Sequence, residues 1–132
     1  MLGVGAIIFR RDRVLLVERG KAPLKGYWSL PGGALETGER LEDGIRREVR
    51  EETGLVVRPV RVFTIFERIM RDGRGKAEYH YVLVDYLCQV TGGSLKAASD
   101  VSRAEWVPRT ALSQYKITEG TRPVIEQAFR ER

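Results

Sequence analysis

The chain has 132 residues, of which 42% are apolar and 31% charged, so it has the size and composition of one globular domain rather than of a disordered segment. A single cysteine, Cys88, excludes an internal disulfide framework. The formal net charge of +5 suits an anionic ligand. The basic residues are spread along the chain, however, without the concentrated basic stripe and interleaved aromatics of nucleic-acid binders, so no nucleic-acid partner is expected.

The sequence shows no membrane or export signal. Met1–Phe9 is too short to span a bilayer, and it is not a charged segment followed by an apolar run and a cleavage site. We therefore expect a cytoplasmic protein with no membrane partner, in which Cys88 is a buried, small apolar residue of a strand.

The first third of the chain predicts strands and an irregular loop. Leu2–Phe9 and Val14–Arg19 are rich in apolar and β-branched residues, and the four polar residues between them predict a hairpin turn. Gly20–Tyr27 carries Gly, Pro and Lys and is typical of a loop. Trp28–Leu35 contains Pro-Gly-Gly at 31–33, which excludes a regular helix because Pro lacks an N–H donor and Gly permits unusual backbone angles.

A helix is predicted over Arg40–Thr53. Leu41, Ile45 and Val49 recur every four residues and form one apolar stripe, and Gly54 is a plausible C-terminal stop.

The rest of the chain alternates strand-like runs with turns and closes with a helix. Strands are predicted at Leu55–Met70, with a bend, at Ala77–Val90 and at Ala104–Val107; turns at 71–75 and 91–93; and a helix at Thr118–Arg130. The order of strands, helix, strands and helix predicts a single α/β domain over residues 1–132, an α/β/α sandwich with a mixed sheet between helices.

A second face of the Arg40–Thr53 helix is acidic. Glu48, Glu51 and Glu52 fall within an arc of roughly 80–120° around the helix axis. Their mutual repulsion costs about 0.2–0.5 kcal/mol per pair, which a hard divalent cation such as Mg²⁺ would offset. Taken alone, the three carboxylates favour a solvated acidic face paired with the arginines at 46, 47 and 50 over a metal site.

The residues around this acidic face match a family motif. Residues 33 to 55 run Gly33, five residues, Glu39, seven residues, Arg47-Glu48-Val49, one residue, Glu51-Glu52, one residue, Gly54-Leu55. Seven such fixed positions with two apolar ones occur by chance on the order of once in a billion starting positions. The segment resembles the complete Nudix box, and the preceding residues 26–33 resemble the lead-in common in that family.

The resemblance implies roles for individual residues. Glu48, Glu51 and Glu52 would be catalytic metal ligands, with the carbonyl of Gly33 or its neighbour completing the shell around Mg²⁺, or Mn²⁺ as the alternative ion. Glu39 and Arg47 would orient the box carboxylates.

The general base and the substrate contacts are less determined. Relatives differ in the base, and some use a glutamate outside the box; the acidic candidates here are Glu67, Glu78, Asp100 and Glu105. Arg19 is predicted as a phosphate contact, with a solvated strand end as the alternative. Trp28 is predicted either to contact a nucleobase or to pack beside the box loop. His80 and Trp106 are interpreted as a structural or surface histidine and a core residue.

The resemblance implies hydrolysis of the pyrophosphate bond in a nucleoside diphosphate linked to another moiety, with ADP-ribose as the first guess. A nucleoside-triphosphate pyrophosphohydrolase that removes damaged nucleotides is the alternative enzyme. A nucleotide-sensing or RNA-associated binding module without turnover is the alternative of another class. The resemblance leaves a homodimer open.

Overall fold

The computed structural model describes all 132 residues as seven strands, two α-helices and one 3-10 helix. In chain order these are β1 (Leu2–Arg10), β2 (Arg13–Arg19), β3 (Trp28–Ser29), β4 (Gly32–Ala34), α1 (Leu41–Thr53), β5 (Leu55–Arg71), β6 (Ala77–Gly93), β7 (Val101–Pro108), the 3-10 helix (Arg109–Gln114) and α2 (Thr121–Arg130).

The strands form one mixed sheet. Its main path runs β3-β2-β1-β6-β5, while β4 also pairs with β1 and β7 with β2. The β1 and β6 strands are parallel, and all other pairs are antiparallel. The first residues of β1 pair with β4, and its last residues pair with β2. The chain therefore returns to the centre of the sheet after β3.

Helices cover the two faces of the sheet, as predicted for an α/β/α sandwich. Ile45 and Val49 of α1 are buried in one core cluster with Ala6 and Ile8 of β1. Ile7 belongs to a second cluster, which includes the following two α2 residues: Ile125 and Ala128. Alternate residues of one strand point to opposite faces, so β1 supplies both cores.

Three predicted boundaries were wrong, two of them because pairing with another strand extends the element. The glycines at 92 and 93 do not end β6, since they pair with Val56 and Leu55 of β5. The strand predicted at Ala104–Val107 extends to Val101–Pro108, because β2 pairs with it along its whole length. The closing helix begins at Thr121 rather than Thr118.

The predicted bend in the first long strand corresponds to register shifts in β5. The pairing with β6 is irregular between Pro59 and Arg61 and again between Val62 and Thr64. Pro59 lacks an N–H donor and is tolerated because β5 lies at the edge of the sheet. None of the helices has the length and apolar character needed to cross a membrane.

Candidate active site

A cavity of about 470 Å³ opens where α1, the loop around β4 and the sheet meet. Glu48 and Glu52 line it from α1, and Gly32 and Gly33 line it from β4. Its remaining wall includes charged side chains from other elements of the fold: Arg19, Arg68, Asp85 and Asp100.

The burial of α1 decides which carboxylates reach this cavity. Ile45 and Val49 are almost completely buried under the sheet and so fix the rotation of the helix. Glu48 is consequently turned inward, with 13% of its side chain exposed. Glu51 lies further round the helix, 49% exposed, and is not part of the cavity wall.

The β4 backbone approaches the α1 carboxylates closely. The Gly32 N–H donates a hydrogen bond of 2.9 Å to Glu52 Oε1. A Cβ at position 33 would lie 2.7 Å from the Glu48 carboxyl carbon and from Oε2, so any other residue there would displace the Glu48 carboxylate. Loop backbone and helix carboxylates therefore form one unit, which places carboxylate and carbonyl oxygens side by side.

Arg47 links the carboxylates at the mouth of the cavity. Its Nε and Nη2 donate to Glu39 Oε2 and Oε1 at 2.7 and 2.9 Å, a bidentate pair. Its Nη1 donates to Glu48 Oε1 at 2.9 Å and to Glu51 Oε2 at 3.3 Å, and its Nη2 also donates to the Ala34 carbonyl at 3.1 Å. The guanidinium thus holds three of the acidic side chains singled out from the sequence.

The surroundings of these acids shift their pKa values in opposite directions. Hydrogen bonds from Arg47 lower the pKa of Glu39 to about 2. Burial raises the pKa of Glu52 to about 8, since its hydrogen bond from Gly32 only partly offsets the loss of water. Burial also raises the pKa of Glu48, against the opposing effect of Arg47. At both carboxylates the effect of burial therefore outweighs that of the neighbouring hydrogen bonds and positive charges.

This donor set fits a hard divalent cation. Carboxylate oxygens of Glu48 and Glu52 and the backbone of Gly33 supply the oxygen ligands that Mg²⁺ prefers, and a cation would relieve the cost of burying the two charges. In this structure the acids do not converge on one point, and no group of three acidic, histidine or cysteine side chains is arranged around a common centre. Glu51 is directed to Arg47 instead, so its role as a ligand stays a prediction.

The two residues predicted to contact substrate are placed differently. Arg19 lines the cavity, and its Nε donates to the Pro23 carbonyl at 2.9 Å within the loop that follows β2. The ring of Trp28 is buried, 5% exposed, and packs edge-on against Tyr115 with a centroid separation of 5.0 Å. Trp28 does not line this cavity, its burial against Tyr115 agrees with the packing interpretation, and a nucleobase contact stays a prediction.

Of the four acidic candidates outside the box, one lines the cavity: Asp100. The others are directed elsewhere. Glu67 pairs with His80 at 2.8 Å, Glu105 accepts a hydrogen bond from Tyr115 at 2.7 Å, and Glu78 is exposed. Asp100 forms an ion pair of 2.9 Å with Lys21.

Sequence reasoning missed Asp85, a carboxylate in the cavity wall. It is only 7% exposed, and burial raises its pKa to about 6. In the sequence it is the single acid inside the apolar run Val82–Cys88. Because alternate residues of a strand face opposite sides, one polar residue in such a run is easily interpreted as facing solvent.

The buried Asp85 charge predicts a pH-dependent cost to stability. The pKa of Asp85 is about 6 in the folded chain and near 3.8 when unfolded, so the penalty is absent below pH 4 and complete above pH 7. We expect Asp85→Asn to raise the free energy of unfolding by up to about 3 kcal/mol above pH 7 and to change it little at pH 4. Urea unfolding across this pH range measures the difference, with the exposed Asp12→Asn as the matched control. An equal gain for Asp85→Asn at both pH values would contradict the assignment.

Comparison with known proteins identifies relatives over most of the chain. A NUDIX domain model matches residues 1–128. The chain is 35% identical over 121 residues to a Methanocaldococcus jannaschii protein named ADP-ribose pyrophosphatase, covering 88% of this chain and 69% of that protein. It is 35% identical over 106 residues to the mouse protein named 8-oxo-dGDP phosphatase NUDT18, covering 77% of this chain but 30% of that longer protein. The crystal structure of a MutT NUDIX hydrolase from Burkholderia pseudomallei superimposes with a TM-score of 0.82 at 30% identity, covering 96% of this chain and 95% of that one.

Proposed function

The chain belongs to the NUDIX family, and from this premise we propose that it hydrolyses the pyrophosphate bond of a nucleoside diphosphate linked to another group. The observation that carries the proposal is the unit formed by β4 and α1. The Gly32 N–H binds Glu52, and Gly33 leaves room for the Glu48 carboxylate beside a cavity large enough for a small ligand.

We propose that Glu48 and Glu52, with the carbonyl of Gly33, hold a divalent ion, and that Glu51 joins them. Mg²⁺ is the expected ion and Mn²⁺ the alternative. When bound, the ion would neutralise phosphoryl oxygens and lower the pKa of a water molecule. The ordinary ligand chemistry of Mg²⁺ and the uncompensated burial of Glu52 support this assignment.

The chain's own side chains bind and orient the reactants. Arg47 holds Glu48 in position through Nη1 and is itself fixed by its bidentate contact with Glu39. Arg19 supplies a positive charge to the cavity wall and attracts the anionic substrate. Glu52 Oε1 is occupied by the Gly32 N–H, which leaves Oε2 free to take part in binding or in proton transfer. Asp100 is the acid outside the box that is placed to act as an alternative base.

ADP-ribose is the first candidate substrate, because the relative from Methanocaldococcus jannaschii is named for it. The alternative is removal of damaged nucleotides by hydrolysis of nucleoside triphosphates. The mouse relative is named for an oxidised guanine nucleotide, but that nucleotide is a diphosphate, so the name does not favour a triphosphate substrate. We propose that the reaction takes place in the cytoplasm, where the single thiol Cys88 stays reduced. A homodimer is left open.

A substrate panel tests the proposal. The chain is incubated with nucleoside diphosphate sugars, dinucleoside polyphosphates and nucleoside triphosphates in Mg²⁺, Mn²⁺ or excess chelator, and the products are identified. We expect turnover that requires the divalent ion, with a nucleoside monophosphate released from ADP-ribose. Release of inorganic pyrophosphate from triphosphates alone would select the alternative enzyme. Nucleotide binding enhanced by Mg²⁺ without any turnover would overturn both in favour of a binding module.

A further inference from the structure

The floor of the cavity is a strip of sheet in which two glycines of β1 lie beside two side chains of β6. Parallel pairing of β1 with β6 sets Gly3 beside Leu83 and Gly5 beside Asp85. Alternation along the strands puts these residues on the same face as Ile7, which α2 covers. Positions 3 and 5 carry no side chain, and the side chains of Leu83 and Asp85 occupy the space that a Cβ at these positions would need.

Asp85 stands at the edge of this strip without a partner. The residue is 7% exposed, and its carboxylate accepts no hydrogen bond from the protein. It leans over Gly5, because a Cβ at position 5 would collide with Asp85 Oδ1. Arg68 is the cation whose charge acts on Asp85, but its Nη2 donates to the Glu119 carbonyl at 2.8 Å. The carboxylate therefore keeps its acceptor sites for a ligand.

Apolar side chains and one arginine surround part of the strip. Phe66 packs against Gly120 so closely that no Cβ fits there, and Arg68 lies over the Phe66 ring with 5.6 Å between the guanidinium carbon and the ring centroid. Leu30 and Val124 also line the cavity. Apolar side chains beside a buried carboxylate that no protein donor binds suit a heterocycle that carries N–H groups on its rim.

The strip is also within reach of the carboxylates. Gly32 of β4 pairs with Gly5, and Gly5 pairs with Asp85, so two strand spacings of about 4.8 Å separate the loop that binds Glu52 from Asp85. One ligand can therefore place a phosphate group beside Glu52 and a heterocycle over the glycine strip.

We propose that Asp85 determines base specificity by accepting hydrogen bonds from the amino-bearing edge of the substrate's nucleobase. The inference rests on the proposed function, since it takes the ligand to be a nucleotide. An ionised carboxylate offers acceptors only. Guanine presents two N–H donors side by side, adenine and cytosine present one amino group, and uracil presents an N–H between two carbonyl acceptors that repel the carboxylate. The expected order of affinity is guanine, then adenine and cytosine, then uracil.

Binding of non-cleavable nucleotides tests this order apart from catalysis. Dissociation constants are measured by calorimetry in Mg²⁺ for the α,β-methylene analogues of GDP, ADP and UDP. The chains compared are the wild type, Asp85→Asn and the exposed control Asp12→Asn. We expect the wild type and the control to bind the GDP analogue at least about tenfold more tightly than the UDP analogue. In Asp85→Asn this ratio should fall below about threefold, and the UDP analogue should bind as well as before or better, because the amide adds a donor for a uracil carbonyl.

Several outcomes would overturn the inference. An unchanged ratio in Asp85→Asn, an equal loss for all three analogues, or no binding of any analogue to the wild type would each do so. If the variant does not fold, binding of the α,β-methylene analogue of IDP to the wild type is measured instead. This analogue lacks only the 2-amino group of guanine, so the inference requires it to bind more weakly than the GDP analogue. The proposed function is judged separately. Selective binding of one base without turnover in the substrate panel would contradict the hydrolase proposal but not the Asp85 assignment. Turnover without selective binding would contradict the Asp85 assignment but not the hydrolase proposal.

Discussion

Replacing Glu52 by glutamine is expected to lower turnover at least about a hundredfold while leaving the fold intact. Glutamine keeps the carbonyl oxygen that accepts the hydrogen bond from Gly32, so the contact between β4 and α1 survives. It removes the negative charge and the site for a proton, and groups that bind a catalytic ion or transfer a proton contribute about 10² or more to the rate. Because burial already raises the pKa of Glu52 to about 8, the neutral side chain should not destabilise the chain.

The measurement is kcat on the best substrate of the panel, together with the midpoint of thermal unfolding. Glu42→Gln is the matched control, because Glu42 is exposed in the first turn of the same helix and lies 3.8 Å from Arg46. The control should keep near wild-type turnover. Near wild-type turnover in Glu52→Gln would remove Glu52 from the mechanism.

Arg47→Lys is expected to lower turnover by about 10–100-fold and to raise the Mg²⁺ concentration needed for half-maximal rate. The guanidinium donates to both oxygens of Glu39 and to Glu48 at once. An ammonium group has no planar fork and cannot keep these contacts together. Side chains that orient metal ligands typically contribute about 10–100-fold to metal affinity or activity. The charge is unchanged, so the loss reports geometry.

Arg46→Lys is the matched control for this change. Arg46 precedes Arg47 on the same helix but is exposed, with Glu42 and Asp43 as its partners. Turnover and Mg²⁺ dependence should stay near those of the wild type in the control. A variant Arg47→Lys with an unchanged Mg²⁺ dependence would show that the arginine does not position the carboxylates.

Local patterns predicted the parts of the fold that depend on one element. The stripe of Ile45 and Val49 predicted both the extent of α1 and its buried face. The motif from Gly33 to Leu55 predicted that Glu48 and Glu52 lie beside the loop, because its spacing specifies one loop and one helix. It did not predict that Glu51 is directed away from the cavity, since that depends on where Arg47 lies relative to Glu39.

Features that depend on pairing between distant segments were not predictable. Gly92 and Gly93 look like a strand end until Leu55 and Val56 are seen to pair with them. Trp28 precedes the box loop in sequence, yet its ring packs against Tyr115, 87 residues further along the chain. Asp85 became visible as a cavity residue only once β6 was placed beside β1.

Gly5 and Asp85 share one volume, because the carboxylate occupies the space that any side chain at position 5 would need. A substitution at one of these two positions therefore changes the space available to the other. A bulkier residue at 5 requires a shorter one at 85, and the double substitution should be tolerated better than the sum of the two single ones. Variation at either position during divergence is thus constrained by the identity of the other.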